Sequence, residues 1–368
     1  MVPGSNPGGP TNNKERSSFL TKEFFLFTTV HPMKPGKHAN IPIFLPEMAC
    51  PHQCIFCNQE KISGTFSVPK PEEVQQIVER HLSSMPDNRI VDIAFFGGSF
   101  TGIDTGLQEK YLKEAFRFIQ LGQISGIRIS TRPDYIQQEK LDLLKNYGVT
   151  TIELGAQSTN AEVLNKSGRG HTFEDIQKAS TLILKNGFQL GLQMMIGLPR
   201  DTFQRSLQTA NDIISLGAHN TRIYPTVVIK GTALEKLYRK GDYQPLAMEE
   251  AVVWTKELVK LFEKNNVRIF RIGLHTSEEL TDGKSLVAGP FHPSFKEMVM
   301  SSIWNELLFK KIENKKSNNV TFNVHDSQLN FAIGFNGSNK KELLRKGIQA
   351  KFIADSTLSN YQFDVSYN

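Results

Sequence analysis

Short apolar runs alternate with longer polar-rich stretches from about Ala39 to Leu274, and we interpret the runs as strands. Continuous apolar runs are typical of strands that are buried on both faces of a parallel sheet. The runs read NIPIFLPE, IVDIAFFGG, GIRISTRP, TTIELGAQS, FQLGLQMMIGLP, TRIYPTVVI and VRIFRIGL. Six or seven strand-helix units predict an α/β fold, a complete or partial (β/α) barrel.

The stretches between the runs predict amphipathic helices, because their apolar residues recur every three or four positions. Four of them are KPEEVQQIVERHLSSM, GLQEKYLKEAFRFIQL, TFEDIQKASTLILKNG and DTFQRSLQTANDIISLG. Several end near a glycine that is suited to a left-handed cap. In such folds the chemistry lies in the loops that follow the carboxyl ends of the strands.

The two ends of the chain differ from this pattern. Residues 1–34 are rich in Gly, Pro, Ser and Asn and predict a flexible tail, which leaves 35–295 for the barrel. Residues 296–368 predict a small basic α+β appendage. It begins with the helix FKEMVMSSIWNELLFKKI, which runs into Lys310, Lys311, Lys315 and Lys316.

A GxxG loop, Gly334 to Gly337, precedes a lysine-rich helix in this appendage, and Asn339 and Glu342 predict a capping box at that helix. The loop superficially resembles the RNA-clamping loop of KH domains. The segment is too short for a whole KH fold, so we favour a small cap with a solvated basic face.

Composition excludes several classes of protein. A 41.5 kDa chain with 39% hydrophobic residues can bury a sizeable core, so it is not disordered. No stretch is apolar enough to span a membrane and no secretory signal is recognisable, so we expect a cytoplasmic protein with reduced thiols. The net charge of +6 permits an anionic partner such as RNA, but charge alone does not decide the function.

All three cysteines of the chain, Cys50, Cys54 and Cys57, lie within eight residues. The C-x3-C-x2-C spacing favours an iron–sulfur cluster in which one iron has no protein ligand. Structural zinc would need His52, which lies between two of the thiols, and no second ligand pair follows downstream. A redox pair of Cys54 and Cys57 would leave Cys50 unexplained.

The second predicted strand ends in FFGGSFTGI, which places Gly97, Gly98 and Ser99 at its carboxyl end. Two glycines at this point would let a ligand approach the backbone closely, and the hydroxyl beside them can bond a polar group. A glycine pair alone is a weak signal. The glycine pair becomes informative through its position, one βα unit after the cysteines.

With Phe56 just before the third thiol, the cysteine loop resembles that of the radical S-adenosylmethionine (SAM) superfamily. Between Pro35 and Tyr238 the chain is similar to the radical SAM module of the Elongator catalytic subunit. The blocks that carry the resemblance are GGSF, STRPD, LGAQS, RGHT, MMIGLP and IYPTVVIKGTALEKLY. Six ordered blocks are far more specific than any single motif.

The resemblance implies a radical SAM enzyme whose three cysteines hold a 4Fe-4S cluster. The open iron would bind SAM, and an electron would split a carbon–sulfur bond to give a 5'-deoxyadenosyl radical that abstracts hydrogen from the substrate. It also implies RNA (tRNA) modification, with flavodoxin or ferredoxin as a reducing partner. The residues implied to contact SAM are Phe56, Gly97, Gly98, Ser99, Ser130, Gln157, Arg169 and Gln193.

Candidates for contact with the substrate follow the later strands. Tyr224 and Lys230 belong to the family-like block IYPTVVIKGT, and the tyrosine hydroxyl is our first candidate for a proton donor. His275, His292 and Lys296 are lesser candidates, because a lone histidine is more often structural.

Departures from the relatives leave two alternatives open. Fewer than a hundred residues follow the last predicted strand, which is too few for the acetyltransferase domain of the Elongator subunit. Methylthiotransferases are excluded, since they need three further cysteines. A non-catalytic metal- or cluster-containing RNA-binding protein and a coproporphyrinogen-dehydrogenase-like radical SAM enzyme are the alternatives, although GGSFTGI and Asn58-Gln59 differ from the motifs of the latter.

Overall fold

The computed structural model describes residues 37–46, 48–50, 54–64, 67–86, 89–312 and 318–367. The predicted tail, His52, Lys315 and Lys316 therefore lie outside the described residues. Among the described residues, no helix is long and apolar enough to cross a membrane.

The strands of the main sheet occur where the seven apolar runs predict them, and further strands follow in the later part of the chain. In chain order they are β1 (Lys37–Phe44), β2 (Arg89–Phe96), β3 (Gly126–Thr131), β4 (Val149–Gln157), β5 (Gln189–Ile196), β6 (Asn220–Pro225), β7 (Val228–Ile229), β8 (Arg268–Ile272), β9 (Leu286–Ala288), β10 (Asn319–Val324), β11 (Gln349–Ala354) and β12 (Phe363–Tyr367).

Seven parallel strands form the main sheet in the order β1-β2-β3-β4-β5-β6-β8. Each of the seven runs identified in the sequence contributes one of these strands, so the predicted α/β fold is confirmed. The edge strands β1 and β8 are not paired with each other in the sheet. Their side chains do meet, since the rings of His38 and Phe270 stack with centroids 6.3 Å apart. The sheet is therefore a curled, partial barrel.

The helices follow the strands as the periodicity predicts. They are α1 (Gln59–Ser63), α2 (Val74–Ser83), α3 (Thr105–Gln120), α4 (Gln138–Asn146), α5 (Ala161–Lys166), α6 (Phe173–Lys185), α7 (Phe203–Ser215), α8 (Ala233–Lys240), α9 (Met248–Lys264), α10 (Glu278–Thr281), α11 (Phe295–Ile312), α12 (Leu329–Ile333) and α13 (Ser338–Arg345).

Local signals explain where these helices begin. Thr172 forms a capping box with Asp175 at the start of α6, and the hydroxyl of Thr202 accepts a hydrogen bond from the amide of Arg205 in α7. The apolar stripe of α3 includes Tyr111, which is buried in the core shared with the strands. The helices thus cover the outer face of the sheet, and its inner face is left for a site.

The predicted α+β appendage is present, and α11 joins it to the barrel. Phe295 and Val299, in the first half of this helix, belong to the barrel core, whereas Trp304 and Leu308 belong to a second core. This second core lies against a three-stranded sheet of order β11-β10-β12. The boundary at residues 295/296 stays a prediction.

The predicted capping box in the appendage is wrong. Helix α13 begins at Ser338, after the N-cap residue Gly337, with no side-chain cap. Asn339 is buried instead, where its amide donates to the carbonyl of Ser301 on α11 at 2.9 Å. A tertiary contact therefore takes up the side chain that sequence spacing assigns to a local cap.

We expect Trp304→Ala to lower the free energy of unfolding by about 3–5 kcal/mol, because the side chain is fully buried and donates a 3.0 Å hydrogen bond to Gln328. Urea denaturation followed by circular dichroism measures this change. The matched control is Trp254→Ala, which removes the same atoms from a half-buried position beside Phe203. Equal losses in the two variants would contradict the assignment of Trp304 to a second core.

Candidate active site

A cavity of about 430 Å³ opens at the carboxyl ends of the strands of the main sheet. The predicted site residues that line it are Cys50, Cys54, Phe56, Cys57, Gly97, Gly98, Ser99, Ser130, Gln157, Arg169, Gln193 and Tyr224. Residues that are 174 positions apart in the sequence, Cys50 and Tyr224, thus share one cavity.

Of the remaining candidate residues for substrate contact, one lines the cavity and three do not. His275 lines the cavity, whereas Lys230, His292 and Lys296 are not among its lining residues. Lys230 is exposed, and its carbonyl accepts a hydrogen bond from the ammonium group of Lys61 at 2.8 Å. The ring of His292 packs edge-on against Phe335, which is a structural role.

The cysteine loop is held by backbone hydrogen bonds to two distant segments. The amide of Ile55 donates to the carbonyl of Ser167 at 3.2 Å, and the amide of Leu234 donates to the carbonyl of Ile55 at 2.7 Å. Ser167 follows α5 and Leu234 lies in α8, so the loop is fixed by elements that follow β4 and β7. The position of Cys54 and Cys57 on either side of Ile55 therefore depends on the whole barrel.

Each thiol lies beside a polar side chain. Cys50 is exposed, Cys57 is half-buried and Cys54 is buried. The pairs are Cys50 Sγ with Ser99 Oγ at 3.7 Å, Cys57 Sγ with Gln59 Nε2 at 3.5 Å, and Cys54 Sγ with Arg169 Nη1 at 3.1 Å. Donors directed at sulfur stabilise the thiolate form that binds metals.

Desolvation by the surrounding protein raises the pKa of the Cys57 thiol to about 12, and it also raises the pKa of Cys50, although one side of Cys50 stays exposed. Both therefore carry protons at neutral pH, and binding of a metal would release them. Among the described residues, no group of three or more His, Cys, Asp or Glu side chains is close enough together to hold a metal ion. Residues 51–53 of the loop lie outside the described ranges.

The glycine pair after β2 lies directly against the start of the cysteine loop. A Cβ atom on Gly98 would lie 2.6 Å from the carbonyl oxygens of Leu45 and Met48, so no larger residue fits. Gly97 has a φ of +97° and would place a Cβ 3.3 Å from the nitrogen of Pro46. These two positions therefore need glycine so that the two loops can pack together.

Three residues that line the cavity have a buried polar atom with no partner among the described residues: Oδ1 of Asn40, Oε1 of Gln157 and Nε of Arg169. Gln157 also has a φ of +66°, a backbone conformation that is costly for a residue with a side chain. An unpaired buried polar atom costs about 1–3 kcal/mol, so these groups suit a polar ligand. The acceptor and donor atoms suit the polar groups of SAM, and thiolates are the side chains that hold iron–sulfur clusters.

A buried ion network lies beneath the cavity, and it is not predicted from the sequence. Glu153 is fully buried, and its carboxylate accepts hydrogen bonds from three side chains. The bonds come from Arg128 Nη1 at 2.9 Å, from Arg222 Nε at 2.6 Å and Nη2 at 3.0 Å, and from Gln193 Nε2 at 3.0 Å. The signal that could have revealed it is a charged residue within an apolar run, as in TIELG, GIRIS and TRIYP.

The charges of this network stabilise one another. Burial alone would raise the pKa of Glu153, but Arg222 and Arg128 hold it below its ordinary value. Burial alone would lower the pKa of Arg222, but Tyr224 and Glu153 raise it above its ordinary value. Tyr224 lies two residues after Arg222 on β6, and both side chains line the cavity.

The site is thus a cavity at the carboxyl ends of a partial parallel barrel, and three thiols from the loop after its first strand line it. Comparison with known families identifies it further. The family model of the radical SAM superfamily matches residues 48–213, and the model of the radical SAM C-terminal domain matches residues 218–305. The chain belongs to the radical SAM superfamily and is a radical SAM enzyme. Members of this superfamily generally use a 4Fe-4S cluster and SAM.

Individual relatives carry the Elongator name or a tRNA activity. The tRNA uridine(34) acetyltransferase of Methanocaldococcus infernus is 32% identical over 290 residues, 67% of this chain and 54% of the relative. Elongator complex protein 3 of Schizosaccharomyces pombe is 31% identical over 176 residues, 46% of this chain and 32% of the relative. The chain thus spans about a third to a half of the length of these curated relatives.

One solved structure shows the shared fold. The archaeal Methanocaldococcus infernus Elp3 lacking residues 1–46 superposes with a TM-score of 0.58 at 21% identity. The match covers 76% of this chain and 63% of that chain. The predicted resemblance to the radical SAM module of the Elongator catalytic subunit is confirmed.

We expect Glu153→Gln to lower the free energy of unfolding by about 3–5 kcal/mol, because it leaves the guanidinium groups of Arg128 and Arg222 buried without their shared carboxylate. Chemical denaturation measures the loss. Glu114→Gln is the matched control, since it removes a carboxylate that pairs with the exposed Arg117 and should change stability by no more than about 0.5 kcal/mol. If both variants lost the same stability, the buried network would not be needed for the fold.

Proposed function

We propose that the chain holds a 4Fe-4S cluster on Cys50, Cys54 and Cys57, binds SAM in the cavity and modifies RNA, with tRNA as the substrate. One observation carries the proposal: all three thiols line the same cavity as the glycine turn and the unpaired polar atoms of Gln157 and Arg169. When bound, the cluster and SAM would supply one-electron cleavage of a carbon–sulfur bond and a 5'-deoxyadenosyl radical that abstracts hydrogen.

The residues of the chain bind and orient in this proposal. Gln157 offers an acceptor and Arg169 a donor to the polar groups of SAM. Ser99, Ser130 and Gln193 add further polar atoms to the cavity wall. Phe56 and Met195 supply apolar wall that excludes water from the reacting centre.

Tyr224 is the proposed proton donor to the substrate. Its phenol lines the cavity at the end of β6, two residues after Arg222, whose guanidinium is held by Glu153. Lys230 lies outside the cavity lining, and it enters the proposal only as an exposed contact for a substrate larger than the cavity.

The RNA substrate is supported by the tRNA activity named for the relatives and by the net charge of +6. In this proposal residues 35–295 perform the radical chemistry, and residues 296–368 add a basic surface for RNA. The protein would act in the cytoplasm, where flavodoxin or ferredoxin supplies the electron. Acetyl transfer is not part of the proposal, because it is named for relatives of which the chain matches only about half.

Replacing Cys54 with Ala should abolish the visible absorbance of the cluster after anaerobic reconstitution with iron and sulfide, since two thiols cannot hold the cluster. Circular dichroism of the variant checks that the barrel is folded, and metal analysis of the wild-type protein tests the zinc alternative. Bound zinc in the purified wild type, with no cluster formed on reconstitution, would refute the cluster.

The reconstituted and reduced wild-type enzyme should form 5'-deoxyadenosine from SAM, and bulk tRNA should increase the rate. Chromatography of the quenched reaction measures the nucleoside. Cys54→Ala is the negative control for background cleavage. Failure to form the nucleoside with or without tRNA, while spectroscopy shows an intact cluster, would favour the non-catalytic RNA-binding alternative.

A further inference from the structure

The polar lining of the cavity is strongly cationic. Of the described residues that line it, four are arginines and none is an aspartate or glutamate. Three of the arginines already have partners that are fixed by the fold. Arg132 makes two 2.9 Å bonds to Asp134, Arg222 binds Glu153, and Arg169 donates to Cys54 Sγ and to the carbonyl of Gly155.

Arg271 is the exception. Among the described residues no carboxylate forms an ion pair with it, and its hydrogen bond is a long one, 3.4 Å from Nη1 to the carbonyl of Leu274. It lies on the edge strand β8 in register with Arg222 on β6, and both side chains line the cavity. A half-buried guanidinium that lines a cavity and has no carboxylate partner among the described residues is suited to bind an anionic ligand.

His275 stands beside this cation and also lines the cavity. Partial desolvation by the surrounding protein and the charge of Arg271 lower the pKa of His275, so the imidazole is neutral at neutral pH and can donate one hydrogen bond. Its ring packs against Phe44 of β1 with centroids 5.9 Å apart, which fixes the imidazole across the gap between the two edge strands. The pair therefore offers a fork of charged donors and one neutral donor.

We propose that Arg271 and His275 bind a phosphate group of the substrate at the rim of the cavity. The fork of the guanidinium matches two phosphate oxygens, and the imidazole can donate to a third. His275 is exposed, so the site is open to solvent and can accept a phosphate that belongs to a large molecule. This proposal deepens the proposed function and rests on it.

The cavity also indicates why Arg271 would bind the substrate and not the carboxylate of SAM. Arg169 lies beside the cysteines, since its Nη1 donates to the Cys54 thiol at 3.1 Å. Arg169 also carries the unpaired nitrogen that suits SAM. Arg271 is thus left for a second ligand in the same cavity. The phosphate can be a phosphodiester of RNA or the monophosphate of a free nucleotide, and both offer the same oxygens.

The test compares ligands that differ only in phosphate. Titration calorimetry on the reconstituted enzyme with SAM measures the affinity for uridine, for uridine 5'-monophosphate and for a short RNA hairpin. We expect Arg271→Gln to weaken binding of the hairpin, of the monophosphate, or of both by about tenfold or more, and to leave uridine unchanged. Loss for the hairpin alone assigns the site to RNA, and loss for the monophosphate alone assigns it to a free nucleotide.

Two variants control for charge and geometry. Arg268→Gln removes an arginine from the other end of the same strand and should not change the affinity for any of the three ligands. Arg271→Lys should restore part of the affinity, since it keeps the charge and loses the fork. Unchanged affinity of Arg271→Gln for both phosphorylated ligands would overturn the proposal.

Binding of SAM separates this proposal from the proposed function. Equilibrium dialysis should show equal affinity for SAM in wild type and Arg271→Gln, and an equal loss for SAM and nucleotide would overturn the phosphate assignment. If the wild type formed no 5'-deoxyadenosine but bound phosphorylated ligands through Arg271, the proposed function would fail and the phosphate site would stand.

Discussion

The buried carboxylate of Glu153 is the interaction on which the rest of the site depends. A partial barrel has an inner face that cannot be filled by apolar side chains if it is to hold polar cofactors, so charged groups must lie in a medium of low dielectric constant. Glu153 makes this tolerable by pairing with both Arg128 and Arg222 from one position on β4, and Asp92, 3.7 Å from Arg128, adds a second negative charge. The same carboxylate accepts a hydrogen bond from Gln193, so two side chains that line the cavity, Arg222 and Gln193, are held by one residue.

The cysteine loop depends on a different constraint, close packing of backbone. Gly98 lets the turn after β2 touch the carbonyl oxygens of Leu45 and Met48, while Ile55 is fixed by bonds to segments from the middle of the chain. The loop is therefore positioned by parts of the barrel that are far apart in sequence. The spacing of the three cysteines in the sequence is compatible with a cluster, and the contacts of the loop with the barrel determine that the thiols line this cavity.

The sequence predicts the fold well because both periodicities are strong: apolar runs such as IVDIAFFGG become β2, and the stripe in GLQEKYLKEAFRFIQL becomes α3. Spacing also places the thiols and glycines at one end of the sheet. Contacts between elements that are distant in the sequence are harder to predict. The local sequence does not show that Lys230 is exposed or that Asn339 donates a hydrogen bond to Ser301 and does not cap its helix. Nor does it show that charged residues on β3 and β6 contact Glu153 on β4. Each of these contacts depends on which elements become neighbours in the fold.

The open edge of the barrel connects these features. Strands β1 and β8 meet through side chains, His38 with Phe270 and Phe44 with His275, where a closed barrel would have a ladder of backbone hydrogen bonds. Side-chain contacts can separate without leaving backbone groups unpaired, so this seam is the side of the cavity that can admit a large substrate at little cost. Arg271 lies on the strand that forms the seam, which is where an entering chain of phosphates would first meet the cavity.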